Sequence, residues 1–467
     1  VADFVKTPTA SSGTAPLVWL LLFGAAVRAV LWYAWTPWTP LINDDARDYQ
    51  RLATELVSTG SYVDDRDNLT SMRPPLYPVA VAGAYSAFGL GNNHAVRAIQ
   101  AVLSLLTAVM VYRIGLVAYD RQIARWAAAV CCFYPSLLGY GNLLLSETLF
   151  IFFVAGFSWL ACEAIHSQQA WKLALAGIVM GLAALTRSIV LLFMPLVGLL
   201  VLLSWEGRWR RRVLAAALPL VMFAAVIAPW AVRNTRLQQT LTLIDVMGGR
   251  NAMMGNYEFT PLERSWATIS DVTGERAWDQ VLLRQHGDVY RNATQGQRDK
   301  LALRHAVAFA VAHPGLTIQR SLVKFFNFWQ LDRIFVAAAS EGYFGSMTTA
   351  ARLALALVVC GSYAAVLFAA VFGACCVPPA DRRVHWFLMA SILFPGAVHA
   401  LIFAHSRYHL PVVPLLGVYA AAAAVGWREV LSQRGSLKFI TAAAICMIVA
   451  LGWLREVIVV DLALLTS

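Results

Sequence analysis

Charge is scarce in this chain of 467 residues: only 13% are Asp, Glu, Lys or Arg, against roughly 25% in soluble domains. Hydrophobic residues make up 59% and the mean hydropathy is +0.61. A soluble enzyme is therefore excluded. The seven cysteines all fall in or beside apolar runs, with no CxxC pair and no Cys/His spacing, so neither a disulfide nor a thiolate metal site is expected. No internal repeat, low-complexity tract, Rossmann fingerprint or P-loop is present, which leaves no motif for a nucleotide. The net charge of +11 does not by itself point to nucleic acid. Basic loops on the cytoplasmic side of a membrane protein produce the same excess.

What the chain has in abundance is long apolar runs. Clear ones are Leu17 to Trp35, Thr148 to Cys162, Ile189 to Leu203, Val213 to Ala231, Leu353 to Val377, Trp386 to Ala404, Leu410 to Gly426 and Leu437 to Leu454. Weaker ones are Ala98 to Ala118, Ala127 to Leu138 and Leu173 to Leu185. At about 20 residues per crossing, this predicts an all-α polytopic bundle of about 11 transmembrane helices. The first run is expected as a retained helix rather than a cleaved signal. With the N-terminus in the cytoplasm, the short inner loops hold thirteen Arg and Lys, including Arg208, Arg210, Arg211 and Arg212. The short outer turns hold only Arg187, Arg407 and Arg455, and this asymmetry fixes the expected direction. One transmembrane domain, 1–467, then carries two long extracytoplasmic loops, 36–95 and 232–350, which hold nearly all the remaining acids. Loops of such length are usually functional. In the second, Asp299 to Ala312 reads as helix, His313-Pro314-Gly315 as a break, and Ser321 to Trp329 as an amphipathic interfacial piece.

In the first loop, Tyr49, Leu52, Ala53, Leu56 and Val57 fall on one helical face, and Asn43 is a suitable N-cap. Extending that helix backwards turns Asp45 towards the buried side and Asp44 away. A carboxylate facing inwards beside a bilayer is costly unless paired or used. Equally, both aspartates suit a helix N-terminus through its dipole, and spacing does not decide between these readings. Arg73 precedes Pro74 and Pro75, which fix an extended backbone. A cation held so suits an anion such as phosphate, or snorkels to headgroups. Arg28 interrupts the first span and has no evident partner in sequence.

The succession Asp44-Asp45-Ala-x-x-Tyr49-x-x-Leu52-Ala53, Arg73-Pro-Pro-Leu-Tyr-Pro78 and Phe88-Gly89 resembles integral-membrane glycosyltransferases of the GT-C fold. The branch it is most similar to contains the protein O-mannosyltransferase-like proteins and the lipid A aminoarabinose transferases. Further motifs agree in order: Leu145-Ser-Glu147-Thr-Leu-Phe150, Leu185-Thr-Arg187, Ala228-Pro-Trp-Ala-Val-Arg-Asn234, Gly248-Gly-Arg-Asn251, His313-Pro-Gly315 with Lys324, and Arg407-Tyr-His-Leu-Pro411. No periplasmic C-terminal domain of the kind some of the family carry is expected.

The resemblance implies transfer of a sugar from a polyprenyl-phosphate donor to a lipid, glycan or protein hydroxyl on the extracytoplasmic face, in a bacterial inner membrane, with no nucleic-acid partner. It implies Asp45 as general base, with Asp44 as the fallback, and Arg73 as a ligand of the donor phosphate; Arg407 and Lys324 are further candidates for that phosphate, Lys324 as readily an interfacial residue. Glu147 is a candidate for positioning the acceptor, sharing a proton with Asp45 or binding metal, and equally for capping its helix. A divalent metal is possible without a visible ligand motif, and His405 with His409 is a poor zinc pair beside Pro411. Arg187 reads as an interfacial anchor. The competing readings are an O-antigen polymerase or ligase and a lipid-linked-sugar flippase or transporter.

Overall fold

The computed structural model describes residues 15–36 and 43–458, and apart from an isolated antiparallel bridge between Val63 and Leu69 their regular structure is helical. Among the described residues, eight helices are long and apolar enough to cross a membrane: Ala15–Trp35, Asn93–Ala118, Glu147–Ser167, Trp209–Gln238, Thr349–Cys376, Arg382–Leu401, Ser406–Val425 and Leu437–Glu456. Leu, Ala and Val dominate them. In hydrocarbon the helix is the one local way to satisfy every backbone N–H and C=O.

The other three apolar runs of the expected total of about 11 fold as shorter helices. The run from Ala127 to Leu138 divides into Arg121–Phe133 and Pro135–Tyr140, because Pro135 starts a new helix after the extended Tyr134. The run from Leu173 gives Ala170–Ala184, and that from Ile189 gives a 3-10 turn followed by Met194–Ser204. At 1.5 Å per residue these fall short of a 30 Å core. They are packed into the bundle instead. Gly177 shows how closely: a Cβ there would overlap the backbone of Pro219 in the Trp209–Gln238 helix, so small residues let the two helices approach.

Arg28 finds partners 76 and 104 residues away, with Nε donating to Ser104 Oγ at 2.6 Å and Nη1 to Cys132 Sγ at 3.5 Å. Nη1 also reaches Gly24 O at 3.0 Å.

Two polar segments fold together over one end of the bundle. The first holds the Asp44–Thr59 helix, capped by Asn43 Oδ1 on Ala46 N at 3.0 Å and closed by Gly60 at φ 71°. The second has a small core of its own around Met253, Tyr257, Leu282 and Ala302. Its Gln295–Ala312 helix starts at the Thr294/Gln297 capping box and meets Pro314–Phe328 at a bend of 111°. A buried hub ties the segments. Ser71 Oγ donates to Asn234 Oδ1 at 2.9 Å and accepts from Gln238 Nε2 at 3.0 Å, and Thr70 Oγ1 reaches Gln295 Oε1 at 3.1 Å. Val246 N also donates to Ser71 O at 3.1 Å. This hub stands two residues before Arg73 and fixes its backbone.

Candidate active site

Asp45 lies in the first turn of the Asp44–Thr59 helix, on the face that buries Ala46, Tyr49, Leu52 and Ala53. Its neighbour Asp44 points outwards, with 93% of its side chain exposed, and pairs with Arg47 at 2.9 Å. Both aspartates line the cavity described below, but of the two Asp45 is the one paired with Arg73 and Arg407. Asp45 is clasped from two sides: Oδ1 lies 2.8 Å from Arg73 Nη2, and Oδ2 lies 2.8 Å from Arg407 Nη2. Burial alone would raise its pKa, but the Arg407 and Arg73 charges outweigh it and hold the carboxyl well below its usual range.

Arg73 is aimed by its surroundings. Tyr62 Oη donates to the carbonyls of Arg73 and Pro74 at 3.1 and 3.3 Å, and Leu76 N to Leu185 O at 2.9 Å. The guanidinium also bonds Asp48 Oδ2 at 2.9 Å and lies over the Tyr49 ring. Arg407 continues the chain of charges, its Nε 2.8 Å from Glu147 Oε1, and Arg187 Nη1 meets the same oxygen at 2.7 Å. Asp45, Arg73, Arg407, Glu147 and Arg187 thus form one network built from five separate stretches of chain.

Two sequence-predicted residues take different places. Glu147 is buried behind the arginines, with 2% of its side chain exposed. It contributes no surface to the neighbouring cavity, and its contacts are with Arg187 and Arg407. Lys324 is not in the network at all: its ammonium donates to Gly255 O at 3.1 Å, Asn256 Oδ1 at 2.9 Å and the carbonyls of Leu401 and Ile402 at 3.4 Å. Burial, with Arg320 nearby, pushes its pKa down to about 7. Backbone and amide oxygens take up its donors, and Lys324 does not line the cavity that holds Arg73 and Arg407; it ties the second polar segment to the turn before Arg407.

Sequence reasoning took Arg187 for an interfacial anchor, since nothing local distinguishes the two roles and its partner is 40 residues away. It also missed Asp245, which sits in the cavity wall and is lifted by burial to about 6.

The cavity measures about 920 Å³. Asp45, Arg73, Arg187 and Arg407 line its charged part, and Phe157, Met180, Phe193 and Phe394 line the part that runs down among the helices. Its residues do not fit a divalent cation. Among the described residues no three His, Cys, Asp or Glu side chains converge, and both Asp45 oxygens already face guanidiniums. His409 bonds Phe328 O at 2.9 Å and stacks on Tyr363, while His405 Nδ1 accepts from Arg407 N at 3.1 Å.

Over 95% of its length the chain superposes on the oligosaccharyltransferase of Archaeoglobus fulgidus in its apo form, with a TM-score of 0.56 at 14% identity. The chain has the GT-C fold. The same archaeal enzyme in complex with an inhibitory peptide and a dolichol-phosphate gives a TM-score of 0.51, over 94% of this chain and 54% of that one. In sequence, residues 41–237 match the family model for dolichyl-phosphate-mannose-protein mannosyltransferase. A curated relative, the undecaprenyl phosphate-alpha-4-amino-4-deoxy-L-arabinose arabinosyl transferase of Erwinia tasmaniensis, is 29% identical over 209 residues, 43% of this chain. The chain spans 36% of that relative's length and 55% of the apo archaeal structure. Within the GT-C frame, the matched stretch carries Asp45, Arg73, Glu147 and Arg187. Arg407 reaches the network from beyond it.

Proposed function

We propose that this chain transfers a sugar from a polyprenyl-phosphate donor to an acceptor hydroxyl. The observation that carries the reading is the Asp45 carboxylate shared by Arg73 and Arg407 at the junction of a charged and an apolar cavity. The acceptor oxygen attacks the anomeric carbon, the bond from that carbon to the phosphate oxygen breaks with its electron pair going to the phosphate, and Asp45 takes the acceptor's proton. The apolar part of the cavity suits an isoprenoid chain, and the arginines suit the departing phosphate.

The resting network explains the order of events. While two guanidiniums face it, Asp45 is a poor base, since a useful base has a pKa near the working pH. A donor phosphate competes for Arg73 and Arg407, loosens their hold on Asp45 and raises its basicity. The site thus becomes competent only once loaded. Glu147 keeps Arg407 and Arg187 in place during that exchange. The basic loops at the end remote from the cavity support a cytoplasmic position for that end. The active site then faces away from the cytoplasm, in a bacterium across the inner membrane, and the acceptor is a lipid, glycan or protein.

The test is release of labelled sugar from a panel of polyprenyl-phosphate sugars by purified protein, with and without acceptors. Asp45→Asn is expected to lower turnover by about 10²–10⁴-fold while donor binding persists. An Asn variant close to wild type would remove Asp45 from the role. Lipid binding or flipping without sugar release from any donor would favour the flippase or polymerase reading.

A further inference from the structure

A second cavity of about 700 Å³ adjoins the first and is walled entirely by residues between 250 and 284. Arg250, Met254 and Ile269 belong to both walls. Six arginines line the first cavity, and five of them face carboxylates: Arg73 and Arg407 as described, Arg187 on Glu147, and Arg264 and Arg333 on Glu456 at 3.6 and 3.1 Å. Arg250 differs. Among the described residues no carboxylate lies within ion-pair distance of it. Its Nη1 approaches only Met247 Sδ at 3.9 Å, its guanidinium lies 5.5 Å from the centre of the Trp278 ring, and its Nε is buried with no acceptor. Burial and then the charge of Arg73 push its pKa down, and the more distant carboxylates of Asp279, Asp45 and Asp48 offset this only in part.

A desolvated guanidinium without a counter-ion is costly, and an anionic ligand removes the cost. Towards Asp45 the charges already balance, with Arg73, Arg187 and Arg407 set against Asp45, Asp48 and Glu147. On the other side, the second cavity holds Arg284 paired at 3.1 Å with the exposed Glu275, and Asp279; there Trp278 stands beside Thr273 and Gln280, an apolar ring face with hydrogen-bonding groups next to it, which suits a hydroxylated ring. We propose that the second cavity is the acceptor subsite and that Arg250 binds a phosphate or carboxylate carried by the acceptor sugar. This rests on the transferase reading: the two cavities meet at Arg250, so an acceptor held there can present a hydroxyl towards the reaction cavity.

The experiment is equilibrium binding of a hexose 6-phosphate, the matching hexose and the matching hexuronate to the purified full chain. Each is measured with and without saturating polyprenyl phosphate. The two anions separate a phosphate from a carboxylate preference. Wild type is expected to bind one of them about tenfold or more tightly than the neutral hexose with the lipid phosphate in place, the size of a charge-assisted hydrogen bond. R250Q is expected to lose that preference and keep polyprenyl phosphate binding, which also reports that it is folded. The proposal is overturned if lipid-saturated wild type shows no anion preference. It is equally overturned if R250Q weakens polyprenyl phosphate binding, which would make Arg250 a donor ligand. Failure of wild type to bind polyprenyl phosphate at all would count against the transferase reading, while the lipid-free arm still reports on Arg250.

Discussion

Glu147 carries a charge into the packed interior of the bundle and spends it on two arginines at 2.7 and 2.8 Å. Breaking a buried pair from one side typically costs 3–5 kcal/mol, because the other partner is left uncompensated. Glu147→Gln keeps the shape and removes the charge, so it is expected to destabilise the protein by about 3 kcal/mol and to loosen Arg407. The double variant Glu147→Gln/Arg187→Gln removes one of the stranded cations and is expected to recover part of the loss. Thermal unfolding in detergent reads both. A single variant as stable as wild type, or a double variant no better than the single, would show that Glu147 is not the anchor of the arginines. At this scale the inward turn of Asp45 was legible, because Tyr49, Leu52 and Ala53 define a helical face that extends back to it, while spacing left its role undecided. Arg187 was not: a guanidinium that snorkels and one that pairs with a carboxylate 40 residues distant look the same in sequence. Arg28 hid its Ser104 and Cys132 partners for the same reason.

Among the elements, the short Gly248–Gly255 helix matters most to the site, because it supplies Arg250 and meets the turn before Arg407. Gly255 is required by contact rather than by conformation. A Cβ there would overlap the carbonyl oxygen of Ile402, one of the acceptors of Lys324, whereas a Cβ on Gly248 would meet nothing within 4 Å. Gly255→Ala is therefore expected to cost about 1–3 kcal/mol, the usual range for overpacking against a neighbour that cannot move freely, and Gly248→Ala is expected to be nearly neutral. Comparing the two unfolding midpoints checks this, and equal midpoints would mean that the helix is free to shift away from Ile402. The sequence pattern Gly-Gly-Arg-Asn entered only as a motif of the resemblance, and nothing in it marked a helix. Hydropathy also left the length of three elements undetermined, since an apolar run records how dry a segment is and not whether the chain breaks inside it. Pro135 and the extended residue Arg187 shortened pieces that composition alone made into spans.

The whole molecule is polarised along its helices. Arg210 and Arg233 belong to the same Trp209–Gln238 helix, and 23 residues at 1.5 Å separate them by about 35 Å, slightly more than the hydrocarbon core. Arg233 bonds Thr70 O at 2.7 Å beside the hub behind Arg73, so the Arg208–Arg212 cluster lies at the opposite end of this helix from the cavity. The proposed direction puts that cluster on the cytoplasmic side, where positive clusters are favoured, and that direction is a measurable quantity. Cysteines introduced at Arg210 and at the exposed Asp65 should react oppositely with a membrane-impermeant maleimide. Asp65→Cys should label in intact cells, and Arg210→Cys only in inverted vesicles. The reverse pattern would put the Asp45 network on the cytoplasmic side, where a donor need not be carried across the membrane before it reacts.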